Sequence, residues 1–176
     1  KVDFRDGVIT NSGSGVMVFE NNALVDNVSD ESFVDGVVRK KGNQSFTFPI
    51  GDNRASNYVY RKLTIDVPQN SNDVIDAQYI WSNPGAIHSF SSKVNDIEVI
   101  NDQEYWVVTE QAGNVLPDLT FYWNAITTPS SILTADFLDR LLVTRWDGTK
   151  WVDEQTIAID QATSSIKIKP SGEGVF

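Results

Sequence analysis

Cysteine is absent from this chain, and histidine and methionine occur once each. Without thiols there is no disulfide framework, no thiolate metal site and no cysteine nucleophile, although the compartment stays open on this ground. Zinc is excluded by ligand count, because one imidazole and no thiolate would leave three carboxylates to complete the site. Bases are scarce too: 14 Lys and Arg stand against 24 Asp and Glu, a net charge of −10. A chain so acidic is not expected to bind nucleic acid unaided. No apolar run approaches the ~20 residues that cross a bilayer, so membrane insertion is not expected. The opening Lys1-Val2-Asp3-Phe4 has neither an initiator Met nor a signal-peptide pattern, which leads to the expectation of a mature or excised piece of a larger multidomain protein.

Catalytic signatures are equally scarce. A Ser-His-Asp triad would have to use His88, yet no G-x-S-x-G elbow exists and Ser89 is merely its neighbour in sequence. Gly13-Ser14-Gly15 lacks the following helix that a phosphate loop requires and reads as a turn. Paired carboxylates suit glycosidase chemistry, but 24 acids always supply candidate pairs and so carry no information. The chain is therefore read as a non-enzyme.

What is abundant is short alternation of apolar and polar residues, broken by Gly, Asn, Asp, Ser and Pro. In Arg61-Lys62-Leu63-Thr64-Ile65-Asp66-Val67, the residues Leu63, Ile65 and Val67 share one face and Pro68 ends the run. Similar runs are 46–50, 74–81, 97–100, 104–109, 119–123, 141–146, 157–160 and 165–169, for roughly ten to fourteen strands. One helical turn is expected at 134–140, capped by Thr134 or Asp136. The Asx-rich segment 52–57 reads as a turn. These signals predict an all-β domain, an antiparallel sandwich of jelly-roll or Greek-key type, over residues 41–176. Residues 1–40 carry shorter runs, which read as short strands packed on the main domain or as a β-solenoid-like edge. At most two uneven repeats are visible where a solenoid needs about three, and the first reading is preferred.

Charge is uneven, with nine acids and one base, Lys93, in residues 64–118. Such a stretch is ordinarily a solvated face. Its sharper reading is a Ca²⁺ site: Asp96, Glu98, Asp102 and Glu104 form two pairs spaced to project from one side of a strand, and oxygen clusters suit this ion. No EF-hand loop is present.

Five Trp and five Tyr are enough for a core or for a sugar-stacking platform. Trp123 shares parity with Leu119 and Phe121, and Trp146 with Leu142, which points both inward. Adjacent aromatics such as Tyr105-Trp106 and Tyr122-Trp123 must face opposite sides of a strand. Trp81, Tyr105, Trp106 and Tyr122 are thus the candidate ligand-binding residues, with a glycan or a surface protein as the partner.

Two segments carry a resemblance. Gly36-Val37-Val38-Arg39-Lys40-Lys41-Gly42, continuing through Phe46-Thr47-Phe48-Pro49-Ile50-Gly51, resembles the G-x-V-x-K-x-G-x-x-x-F-x-F-P-x-G pattern of large exported surface proteins of Bacteroidetes. Arg145-Trp146-Asp147-Gly148-Thr149-Lys150-Trp151 is similar to the R-W-D-G-x-x-W segment downstream in the same proteins. The likeness spans roughly residues 8–160 and implies an adhesin-like, multidomain protein delivered to the outer cell surface by type IX secretion, with no catalytic residues to carry over. The chain departs from that pattern in showing no C-terminal sorting domain. Both segments read as scaffold: Gly42 permits a turn, and Asp147-Gly148 is a turn dipeptide that lets Trp146 and Trp151 flank a hairpin. The expected role is a non-catalytic structural or adhesive module. The alternative is a carbohydrate-binding module of a polysaccharide-degrading system, with Ca²⁺ as a structural ion.

Overall fold

A computed structural model describes every residue except Ser12, Ala55 and Ser56. Strands take 41% of the chain and helix 4%, so the chain is all-β and sandwich-like, as the alternation predicts. No helix is long and apolar enough to cross a membrane among the described residues.

The first strands are very short: β1 (Val2–Asp3), β2 (Ile9–Thr10), β3 (Met17–Phe19), β4 (Val25–Asp26), β5 (Val34–Asp35) and β6 (Val38–Lys41). They stack as parallel ladders, β1 on β4, β2 on β5 and β3 on β6. Two turns of a three-sided coil result, which is the solenoid-like arrangement. Asn and Asp at its corners make this possible. Asn22 and Asn27 adopt left-handed backbone at φ 64 and 59°, a conformation their short polar side chains tolerate, and Asn11 Nδ2 donates to the Val37 carbonyl of the next turn at 2.8 Å. Apolar side chains such as Phe4, Phe19 and Val34 fill the interior.

The remaining strands are β7 (Phe46–Phe48), β8 (Ile50–Arg54), β9 (Asn57–Tyr60), β10 (Leu63–Ile65), β11 (Val74–Ile80), β12 (Tyr105–Ala112), β13 (Leu119–Tyr122), β14 (Thr144–Trp146), β15 (Trp151–Asp153), β16 (Gln155–Asp160), β17 (Ser165–Lys169) and β18 (Gly174–Val175). One sheet runs β16-β17-β13-β10-β7 and a second runs β18-β12-β11-β6-β3. Every ladder in them is antiparallel except β3–β6. Their inner faces meet: Phe19 of β3 lies 5.2 Å from Phe46 of β7, and Trp106 of β12 lies 5.4 Å from Phe121 of β13. Burying Leu63, Ile65, Leu119 and Ile168 completely stabilises the fold by ~1.5–3 kcal/mol for each side chain.

Coil and sandwich share strands. β6 pairs with β3 on one side and with β11 on the other, so the boundary expected at residue 40 falls inside one continuous strand. A second connection is β2-β5-β8-β9, where β8 extends the parallel stack and then forms a hairpin with β9. The turn expected at 52–57 corresponds to this hairpin, and its Ala55-Ser56 lie outside the described residues.

Two strand expectations change. Residues 97–100 are not a strand: Lys93 Nζ reaches forward to donate to the carbonyl of Glu98 at 2.8 Å, closing a loop in which Ile97 is buried. The run 141–146 is strand only from Thr144, where pairing with β15 begins. The helical turn forms as α1 (Ala135–Leu138), with Thr134 at the N-cap position but no side-chain cap bond.

Candidate functional site

Alternation continues inward past the strand ends. Arg61 shares parity with Leu63 and Ile65, Glu104 shares it with Trp106 and Val108, and Tyr79 with Ile75 and Ala77, so three polar groups are carried into the core. Glu104 accepts from Arg61 Nε and Nη2 at 2.9 and 3.0 Å, from Tyr79 Oη at 2.9 Å, from Thr128 Oγ1 at 2.9 Å and from Asn101 Nδ2 at 3.3 Å. Thr128 is set by Asn124, whose Oδ1 accepts from the backbone N–H of Ile126 and Thr127. The Arg61 guanidinium stacks within 5.5 Å of the Trp106 ring and 6.0 Å of the Tyr79 ring. Burial first, and the Glu104 charge second, push the Tyr79 phenol far up, so it stays a protonated donor. A carboxylate offers about four lone-pair sites. Five donors saturate it.

Beside this cluster lies a cavity of about 330 Å³. Phe121, Trp123, Phe137, Leu141, Phe176 and Trp106 contribute to its wall, α1 supplying Phe137. At its rim Arg140 donates to Glu98 at 3.3 Å in an exposed pair. Sequence reasoning missed this cavity, because its walls come from segments far apart in the chain.

Two of the candidate ligand-binding residues, Trp106 and Tyr122, line this cavity, and the other two, Trp81 and Tyr105, both lie beside Asp52. Trp106 is a core residue, 8% exposed, with its indole N–H turned to the Arg61 carbonyl. Trp81 is half-buried against the core, its backbone N–H held by Asp52 at 2.8 Å. Tyr105 is half-buried near Asp52, and burial raises its phenol. Tyr122 lies under the Lys62 ammonium, 4.0 Å from its ring centre. None of the five Trp is fully exposed; Trp123 and Trp146 are half-buried and Trp151 is buried.

The candidate metal ligands are separated by their partners. Glu104 belongs to Arg61, Glu98 to Arg140, Asp102 accepts from Gln103 at 2.8 Å, and Asp96 is exposed. No three of His, Asp and Glu are grouped to hold a metal ion among the described residues. His88 stacks on Trp146, ring centres 4.5 Å apart, and its carbonyl accepts from the Trp151 indole at 3.3 Å.

The two segments that carry the resemblance are built into the frame. Val38, Lys40, Phe46 and Phe48 are buried, and Gly42 takes φ +97° at the turn. In the second segment Trp146 pairs with Trp151 across the β14–β15 hairpin, and Asp147 Oδ1 accepts from the N–H groups of Thr149 and Lys150, both at 2.8 Å. Arg145 Nε bonds buried Glu154 at 2.7 Å, and Ser171 Oγ donates to the same carboxylate at 2.8 Å.

Comparison with known proteins returns nothing similar: no family model, no curated protein and no solved structure matches the chain.

Proposed function

We propose that this chain is a non-catalytic structural or adhesive module of a secreted or cell-surface bacterial protein. The observation that carries this reading is the engagement of its interior acids: Glu104 is saturated by five donors, and Glu154 is tied to Arg145 and Ser171. A side chain acting as acid, base or nucleophile needs a free proton or lone pair within reach of a substrate. These carboxylates hold architecture instead. The coil, continuous with the sandwich through β6, suits a rigid element that bears load or presents a surface. Placement at the outer surface rests on the resemblance of residues 36–51 and 145–151.

Antibodies raised against the purified chain are expected to label intact cells of the source bacterium, with the label lost on surface proteolysis. The same chain is expected to leave ester, glycoside and peptide substrates unchanged. Labelling only after lysis, or turnover abolished by Glu104→Gln, would overturn the reading.

A further inference from the structure

The cavity beside Glu104 is a cleft that opens to solvent past Glu98 and Arg140 and is lined mainly by apolar side chains. Its 330 Å³ falls within the range of small-molecule sites. We infer that it is a binding site for a compact, neutral, ring-bearing hydrophobic molecule. This inference is independent of where the protein resides.

The ligand class follows from what the walls offer. Phe121 of β13 and Trp123 just after it, Phe137 from α1 and Phe176 from the end of the chain contribute aromatic side chains to the lining from three separate segments, an arrangement suited to a flat apolar body. The polar side chains at the inner end are engaged with one another: Thr128 donates to Glu104, whose oxygens are filled by Arg61, Tyr79 and Asn101. No buried side-chain nitrogen or oxygen lacks a partner among the described residues. A charged or strongly polar ligand group that reached this inner end would therefore lose its hydration without gaining a bond. At the mouth, Asp96 and Glu98 are exposed, and Arg140 is paired with Glu98. That acidic entrance, on a chain of net charge −10, repels anions.

The neutral fluorophore N-phenyl-1-naphthylamine, titrated into the intact chain, tests this. A saturable rise in its emission at one site per chain is expected, with quenching of Trp emission through Trp123. The anionic fluorophore 1-anilinonaphthalene-8-sulfonate is expected to give no such rise. Val99, 55% exposed and part of the cavity lining, can be enlarged without disturbing the core. Val99→Trp and Ile132→Trp should each weaken the neutral probe by about tenfold or more. Circular dichroism and melting curves establish that each variant is folded, and Val99→Trp decides if Ile132→Trp is not. Absence of saturable binding, an equal rise with the anionic probe, or unchanged affinity in folded Val99→Trp would overturn the inference.

Discussion

Arg61 and Glu104 form a two-point ion pair, 2.9 and 3.0 Å long, with side chains only 3% and 1% exposed. Removing one partner strands the other in a low-dielectric interior, where the desolvation cost is no longer offset by attraction. Arg61→Leu is expected to destabilise the chain by ~3–5 kcal/mol. Glu104→Gln should fall in the same range, because it also weakens acceptance from Tyr79 and Thr128. Urea unfolding followed by Trp fluorescence checks both, and a loss below ~1 kcal/mol would mean that the pair is solvated in solution.

Lys40 presents the opposite case. Its ammonium is buried over the Phe46 ring, and burial lowers its pKa against a smaller opposing effect of Glu20. The unfolded chain therefore holds this proton more tightly than the folded one. Protonated Lys40 then costs stability at neutral pH, and the cost is relieved as pH rises through the lowered folded value toward 10.5. Its Nζ donates to the Glu20 carbonyl, which keeps a second donor in the Ala23 N–H. Lys40→Met is expected to be more stable than the parent at pH 7, with the advantage shrinking above pH 10. Denaturation at both pH values measures it; an advantage that did not change with pH would contradict the assignment.

Much of the frame was legible because alternation is a direct imprint of a half-buried sheet. The run Ser165 to Lys169 and the Trp146/Trp151 hairpin occur where residue pattern and turn chemistry place them. The buried cluster was legible in principle: Arg61 and Glu104 each share parity with apolar neighbours, yet a charge at a strand end is ordinarily assigned to solvent. Parity cannot say which two distant strands bring opposite charges together. The 97–100 segment misled for a related reason, since Ile97 is buried within a loop closed by Lys93 rather than in a ladder. The coil was the least legible part. Two-residue strands carry almost no periodic signal, and their parallel stacking is fixed by Asx corners spaced along the chain.

The β14–β15 turn is held by a titratable group. Asp147 is exposed, and donation from the backbone of Lys150 and Thr149, together with the Thr149 hydroxyl, lowers its pKa below 3.8. A carboxylate depressed in the folded state contributes stability above its ordinary value and loses it as pH falls through the folded one. Near-ultraviolet circular dichroism from the Trp146–Trp151 pair should stay constant down to about pH 4 and decline below it. Asp147→Ala is expected to show the reduced signal already at pH 7. A variant spectrum identical to the parent would show that the Trp pair needs no help from the turn.

Calcium has little to grip. Of the four carboxylates in residues 96–104, Glu98 and Glu104 are paired with arginines, and no set of three acids converges among the described residues. An ion that bound only the folded chain would raise its melting temperature by mass action. Millimolar calcium and excess chelator are expected to give superimposable melting curves. A calcium-dependent rise that chelator reverses would require the 96–102 loop to rearrange around the ion.

Gly51 tests whether coil and sandwich are mechanically one. It sits in β8, paired in parallel with Asp35 of the coil and antiparallel with Tyr60 of β9. A Cβ at this position would lie 2.2 Å from the Val59 carbonyl oxygen and 2.7 Å from the fully buried Phe33 ring. Neither neighbour is a flexible tip, so backbone must shift, and Gly51→Ala is expected to cost at least the upper part of the ~1–3 kcal/mol typical of overpacking. Gly148→Ala is the control. Its φ of +102° imposes local strain, but a Cβ there meets nothing within 4 Å, and about 1 kcal/mol is expected. If the coil unfolds independently, Gly51→Ala should split the denaturation curve into two transitions; a single transition at lower denaturant is the expected result, because β6 belongs to both parts.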